Sequence, residues 1–295
     1  MFIRSWHGLS RWKLWWVLGL YLLGSCRPQK ALSPAFLSFG SARVIIENDT
    51  VLIQPPLDVW VYPQGKYLTM TEAGGRVPIV PAETAPILLA GGVRVNGISA
   101  TRKPYPFWMF DTLREPLRPE TEFFYTPLYR YLADTLLRYL VREDFESPQV
   151  GFRSTNLGEN GAVQLRRTFS GPRRGFWAGE VSLPPNADFR VESTSSFEFP
   201  QAEIWAEIAL KGSRNLGVGI TREDKQTGRL ISREIFLLLR PPDEGWGTFF
   251  IDLTPWVSQG AGLYRYRLYL TSAGDTTGMH QLYLDDIRII TLKTS

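Results

Sequence analysis

The run Ala202-Glu203-Ile204-Trp205-Ala206-Glu207-Ile208-Ala209-Leu210-Lys211 decides the fold class. Ala202, Ile204, Ala206, Ile208 and Leu210 take every second position, and Glu203, Trp205, Glu207 and Lys211 stand between them. A period of two puts alternate side chains on opposite faces of a strand, here one apolar and one polar. The segment 263–272 repeats the pattern, with Tyr264, Tyr266, Leu268 and Leu270 against Arg265, Arg267 and Tyr269. Outward from these, 163–169, 176–182, 195–199, 216–222, 230–239, 247–253 and 280–292 also read as strands, rich in aromatic and β-branched residues and bounded by Gly and Pro.

Nine such runs fit a two-sheet jelly roll over 142–295. The N-terminal half carries shorter candidates at 43–46, 58–62, 67–71, 76–80, 86–90 and 93–95, parted by Pro and Gly-Gly steps. They suggest an immunoglobulin-like or related β-sandwich over 41–126. The fold class is therefore all-β, two sandwich domains in series. The connector 127–141 has two readings. Leu128, Leu132, Leu136 and Leu140 recur every fourth residue, as on a helix. The same leucines alternate with Arg130, Asp134 and Arg138, as on strands. Two short strands are the expectation.

At the N-terminus, Arg4, Arg11 and Lys13 precede an apolar run that ends in Leu23-Gly24-Ser25-Cys26. This is the charged, then apolar, then small-residue order of an export signal. A spanning helix needs about 20 apolar residues, and this run is shorter and stops at Arg27, Pro28, Gln29 and Lys30. The quartet resembles the lipobox of bacterial lipoproteins. The resemblance implies a signal peptide over 1–25, cleavage before Cys26, and a covalent lipid on that thiol. An ordinary leader and an uncleaved anchor are the other readings. Residues 26–40 then form a tether. Arg27, where the enteric sorting rule would place Asp for inner-membrane retention, favours the outer membrane.

Removing the leader takes three cations and no acids, leaving 30 Lys and Arg against 29 Asp and Glu. The basicity is a targeting feature, and no basic run with interleaved aromatics points to nucleic acid. Only His7 and His280 occur, and Cys26 is the one cysteine. A multi-histidine zinc site and a thiol nucleophile are thereby excluded from the mature chain.

Glu143-Asp144-Phe145-Glu146, the strand Trp246-Gly247-Thr248-Phe249-Phe250-Ile251-Asp252-Leu253 and the closing Leu282-Tyr283-Leu284-Asp285-Asp286-Ile287-Arg288-Ile289 resemble the corresponding strands of carbohydrate-binding-module-like jelly rolls. Asp58-Val59-Trp60-Val61-Tyr62, Ile87-Leu88-Leu89, and Asn96 to Arg102 with Pro104-Tyr105-Pro106-Phe107 resemble surface lipoproteins of the Bacteroidota type. The first resemblance implies a fold and a structural calcium between the first and last strands. Neither gives a substrate.

Asp285 is the candidate for that calcium. On a regular strand it shares a face with Tyr283, Ile287 and Ile289, and a bare carboxylate there is costly. Calcium held by Asp285, Glu146 or Glu143 would supply a partner; so would backbone amides or water. For ligand binding, the polar faces of 202–211 and 263–272 offer Trp205, Glu203, Glu207, Arg265, Arg267 and Tyr269, provided that they share one sheet. An aromatic plane with charged groups around it suits a sugar ring, and equally a protein interface. A third reading packs Trp205 beneath a loop or the other domain. Trp177, Trp246 and Trp256 read as core or loop-packing residues.

Catalysis has the least support. Glu203 and Glu207 lie about 13 Å apart at roughly 3.3 Å per residue, beyond the roughly 5–9.5 Å of most glycosidases. No Ser-His-Asp set is assembled around His280, and Gly217-Val218-Gly219-Ile220 lacks the third glycine of a phosphate loop. The expectation is a non-catalytic, lipid-anchored protein of the outer membrane that binds polysaccharide, or else a component of an envelope protein complex.

Overall fold

The computed structural model describes residues 33–46, 50–53, 58–80, 86–156 and 162–293. The expected signal peptide and Cys26 lie outside them. Strands run β1 (Ala35–Phe39), β2 (Arg43–Ile46), β3 (Thr50–Ile53), β4 (Asp58–Pro63), β5 (Thr69–Glu72), β6 (Arg76–Ile79), β7 (Ile87–Arg94), β8 (Arg102–Pro104), β9 (Asp111–Leu113), β10 (Glu122–Tyr125) and β11 (Leu128–Arg130). They form three small sheets, ordered β10-β1-β6, β11-β2-β3 and β5-β4-β7-β8, with β9 also on β7. β1 pairs parallel with β10, and β2 parallel with β11.

Two expectations change here. Residues 35–39, read as tether, form β1, whose Ala35, Leu37 and Phe39 enter the core. The alternation Ala-Phe-Leu-Ser-Phe is present, but only five residues long beside two prolines. Gly91-Gly92, read as a break, lies inside the continuous strand β7. A Cβ on Gly91 would stand 2.8 Å from Trp108 and 2.9 Å from Tyr129. That glycine admits aromatic rings against the backbone; it does not punctuate.

The C-terminal half continues with β12 (Leu137–Glu143), β13 (Phe152–Ser154), β14 (Ala162–Val163), β15 (Arg166–Thr168), β16 (Ala178–Leu183), β17 (Asp188–Ser193), β18 (Ile204–Gly212), β19 (Leu216–Asp224), β20 (Leu230–Leu239), β21 (Gly247–Asp252), a one-turn helix α1 (Thr254–Val257), β22 (Tyr264–Ala273) and β23 (His280–Leu292). Two sheets face each other as a jelly-roll sandwich. The first is ordered β15-β16-β23-β18-β21, with β12 also on β23; the second is β13-β17-β22-β19-β20, with β14 on β17. Ile204, Ala206, Ile208 and Leu210 of β18 meet Tyr266, Leu268 and Leu270 of β22 in the core between them. The connector 127–141 resolves into β11 and β12, two strands, one in each half. Segment 195–199 is not a strand. Phe197 alone bridges to Tyr266.

β23 departs from strict alternation. Leu282 and Leu284 face the sandwich core, and so do Ile287 and Ile289. The pairing with β18 shifts between Glu207 opposite Arg288 and Ala209 opposite Asp285. This is a β-bulge, and Asp286 sits in it at φ 45°. Asp285 therefore does not share a face with Ile287 and Ile289, as a regular strand would require.

The two halves are fused through the outer face of the first sheet. Trp205, Phe250 and Ile290 join Val93, Val95, Tyr105, Phe107, Trp108 and Tyr129 in one buried cluster. Val95 bridges to Phe250, and the Asn96 amide donates to the Phe250 carbonyl at 2.8 Å. The N-terminal half thus covers part of a sheet face that would otherwise expose a large apolar patch. Among the described residues no helix is long and apolar enough to cross a membrane.

Candidate functional site

The six expected ligand-binding residues divide between the sheets. Trp205, on β18, is fully buried, its ring edge-on to Tyr105 at 5.4 Å. Glu207 is also buried and accepts hydrogen bonds from the Tyr105 and Tyr131 hydroxyls. Glu203 stays half-exposed, 3.7 Å from Lys103. Arg265, Arg267 and Tyr269 lie on β22 in the opposite sheet. No shared platform forms. Of the three readings of Trp205, packing beneath the other domain is the one the structure follows.

The calcium carboxylates also separate. Asp285 accepts from the amides of Arg173, Arg174 and Asp286. Glu143 accepts from those of Phe145 and Gly151, and Glu146 from those of Phe176 and Trp177. Among the described residues no group of three or more His, Cys, Asp or Glu side chains is placed to hold a metal ion. Backbone amides supply hydrogen bonds to each of these carboxylates in this geometry. Asp285 pins the loop 169–177 across the first sheet. Burial, and then the charge of Asp286, push its carboxyl up to about 7. Burial also raises Asp286, but Arg288, Arg173 and Arg174 outweigh it and hold that carboxyl below the ordinary range.

The remaining three candidates belong to the outer face of the second sheet, where Arg265 is half-exposed, Arg267 is mostly covered and Tyr269 is buried. Tyr269 stands in a cross-strand row with Arg153 of β13, Glu192 of β17 and Gly219 of β19. Glu192 is buried and accepts from Arg153 Nε at 2.9 Å and Nη2 at 2.6 Å, Thr221 Oγ1 at 2.8 Å and Arg233 Nε at 3.2 Å. Burial pushes the Glu192 carboxyl up; the bonds from Arg153, Thr221 and Arg233 overcome it and hold the group ionised. Arg267 donates to Glu223 at 3.0 Å and to the carbonyls of Ser193 and Thr194. These bonds fix guanidinium groups at the surface at little further cost in side-chain freedom. Ile235 and Leu238 of β20, 51% and 66% exposed, add an aliphatic margin.

Tyr269 itself is 7% exposed. A groove of about 340 Å³ lies at one end of this face, lined by Arg214, Gly217, Leu238 and Thr271. A second, of about 430 Å³, lies at the other, lined by Arg138, Glu198 and Arg265. Thr271, Tyr269, Arg267 and Arg265 alternate along β22 from one groove to the other, roughly 20 Å at 3.3 Å per residue.

Sequence reading missed Arg153, Glu192, Thr221 and Arg233. Glu192 was findable, because Asp188-Phe189-Arg190-Val191-Glu192-Ser193 alternates as a strand should. Arg153 lies on a strand of three residues, too short to carry a period. A serine–histidine–aspartate contact was missed as well. Ser213 Oγ meets His280 Nδ1 at 3.3 Å, and His280 Nε2 meets Asp275 at 2.9 Å. The Asp275 carboxylate also takes the Thr277 amide and hydroxyl and Arg214. The Thr277 hydroxyl, with His280, holds that carboxyl far below the ordinary range. The group clasps together the β18–β19 and β22–β23 connections, each of which crosses from one sheet to the other.

No protein-family model matches the chain, and no curated protein matches it significantly. Among solved structures, the chain is similar to the CBM22-1 xylan-binding domain of Paenibacillus barcinonensis Xyn10C, with 15% identity, 54% of this chain and 97% of that one covered, and a TM-score of 0.36. It is similar to TmCBM61, solved in complex with β-1,4-galactotriose, at 15% identity, 52% and 97% coverage and a TM-score of 0.37. A structure of promiscuous carbohydrate-binding modules from the β-sandwich superfamily covers 87% of this chain and 98% of its own, at 11% identity and a TM-score of 0.39. No residue role is carried over from them.

Proposed function

We propose that this chain is a non-catalytic, lipid-anchored glycan-binding protein of the bacterial outer membrane, and that it holds polysaccharide along the outer face of its second sheet. One observation carries the binding assignment. The outer face of β22 joins two grooves, with the exposed aliphatic groups of Ile235 and Leu238 beside arginines and carboxylates already fixed in place. Apolar surface serves the C–H faces of sugar rings, and positioned donors and acceptors serve their hydroxyls. The anchor rests on the Leu23-Gly24-Ser25-Cys26 sequence.

Retention of the protein by immobilised polysaccharides tests the assignment. Arg153→Ala, Ile235→Asp and Leu238→Asp alter exposed positions, and together they abolish retention while circular dichroism stays native. Unchanged retention in that variant, or no retention of folded wild-type protein across a broad panel, overturns it. Cys26→Ser separates the anchor, since it releases the protein from membranes without altering glycan retention.

A second reading, a component of an envelope protein complex, is favoured by β20. This edge strand of ten residues exposes Leu230, Ile231, Ile235 and Leu238, and long apolar edges pair readily with other chains. A stable co-purifying protein lost on Ile235→Lys would support it.

A further inference from the structure

We infer that the groove at the Arg265 end of the β22 face takes an anionic substituent of the bound glycan, a uronic-acid carboxylate or a sulfate ester, between Arg138 and Arg265. The inference rests on the proposed glycan-binding role and gives it a substrate class.

The groove forms where β12 meets the segment 196–200, and its volume of about 430 Å³ admits a substituted sugar. Its charge is unbalanced. Arg138 is exposed and has no ion pair among the described residues. Arg265, with half its side chain exposed, stands 3.7 Å from Glu198, at the outer limit of an ion pair. Glu198 is the only carboxylate on the wall, and Lys225 holds it at 2.6 Å from outside the groove. Two guanidinium groups therefore face the cavity with their forks largely unspent. Elsewhere on the same sheet arginines are committed: Arg153 to Glu192, and Arg267 to Glu223 and two carbonyls.

Planar guanidinium donors match the paired oxygens of carboxylate and sulfate. Such charge-assisted bonds are worth more than those to a neutral hydroxyl. A neutral glycan would leave both cations solvated and gain nothing from them. An acidic one places its charge against Arg265, whose strand leads directly to Arg267 and Tyr269.

The full-length chain is titrated with polygalacturonate and with its fully methyl-esterified, uncharged form, and in parallel with dextran sulfate and dextran. The charged member of at least one pair binds about tenfold or more tighter, equivalent to about 1.4 kcal/mol, and the pair identifies carboxylate or sulfate. The advantage shrinks with added salt. Arg138→Glu/Arg265→Glu removes that preference for the charged member. Arg166→Glu, an exposed arginine on the other sheet, preserves it. Equal binding of charged and neutral polymers overturns the inference and leaves the glycan-binding role standing. So does an unaffected double variant, or an equal loss in Arg166→Glu. Failure of all four polymers to bind, with other polysaccharides retained, likewise defeats only the charge class.

Discussion

The Tyr105 hydroxyl, from the N-terminal half, donates a 2.5 Å hydrogen bond to the Glu207 carboxylate of the C-terminal sandwich. Tyr131 donates to the same carboxylate at 2.9 and 3.0 Å, and Arg288 pairs opposite Glu207 in the strand register. A buried carboxylate is tolerated only with such partners. Tyr105→Phe removes one donor to a charged group and should cost about 1.5–3 kcal/mol. Glu207→Ala leaves two hydroxyls facing an apolar wall and should cost at least as much. Urea unfolding checks both. Because the halves share this cluster, the wild type should unfold in one transition, and separate transitions for the two halves would count against the fused interface.

Trp205→Ala should act on stability. The indole is fully buried, edge-on to Tyr105 and 5.4 Å from the Lys103 ammonium. Truncating a buried Trp costs about 3–5 kcal/mol. Thermal denaturation should show a large loss, while glycan retention by the fraction that remains folded should equal that of wild type. Normal stability with lost retention would restore Trp205 to the ligand face.

That contrast shows what the sequence could and could not disclose. Period-two alternation located β18, β20 and β22 to within two residues and β23 to both ends, because each is long and has one face in the sandwich core. The outward face is different. Glu203, Trp205 and Glu207 read the same whether water or another domain lies above them. Only the N-terminal half, arriving with Tyr105 and Tyr131 from 102 and 76 residues before Glu207, distinguishes the cases. Sheet membership was hidden for a similar reason: β18 and β22 have matching patterns, and nothing local says that they belong to opposite sheets. Arg265, Arg267 and Tyr269 were read as candidates from their own alternation. Their partners Arg153 and Glu192 depend on cross-strand register, which local pattern does not specify. The Asp286 bulge put Asp285 and Tyr283 on the face opposite Ile287 and Ile289, and alternation carries no signal for an inserted residue.

Gly91→Ala should destabilise by about 1–3 kcal/mol through overpacking. The added methyl would meet Trp108 and Tyr129 at under 3 Å, and those rings are stacked 8° from parallel at 6.0 Å. Both are buried, so neither can swing into solvent. Gly228→Ala, where nothing lies within 4 Å, supplies the comparison; its φ of +69° predicts a backbone penalty without a steric one. Near-ultraviolet circular dichroism should change for the first and stay native for the second.

Asp285 predicts an unusual dependence of stability on pH. Its carboxyl rises from 3.8 to about 7, through burial first and the neighbouring Asp286 charge second. Between those values the folded chain keeps a proton that the unfolded chain has released. Folding then binds protons, and stability falls as pH rises across that window. At 1.36 kcal/mol per unit the effect is at most about 4 kcal/mol. Glu192 and Asp286 work in the other direction. Their carboxyls are held low in the folded state, so they contribute stability above their unfolded values, and lose it as pH falls through the folded ones. Together these groups give stability a dome in pH, declining toward about pH 7 on one side as Asp285 ionises and lost in acid on the other. Urea midpoints measured from pH 4 to pH 8 should trace that dome. Asp285→Asn should flatten its alkaline limb and leave its acid limb in place, whereas an alkaline limb of wild-type slope in that variant would assign the decline to other groups.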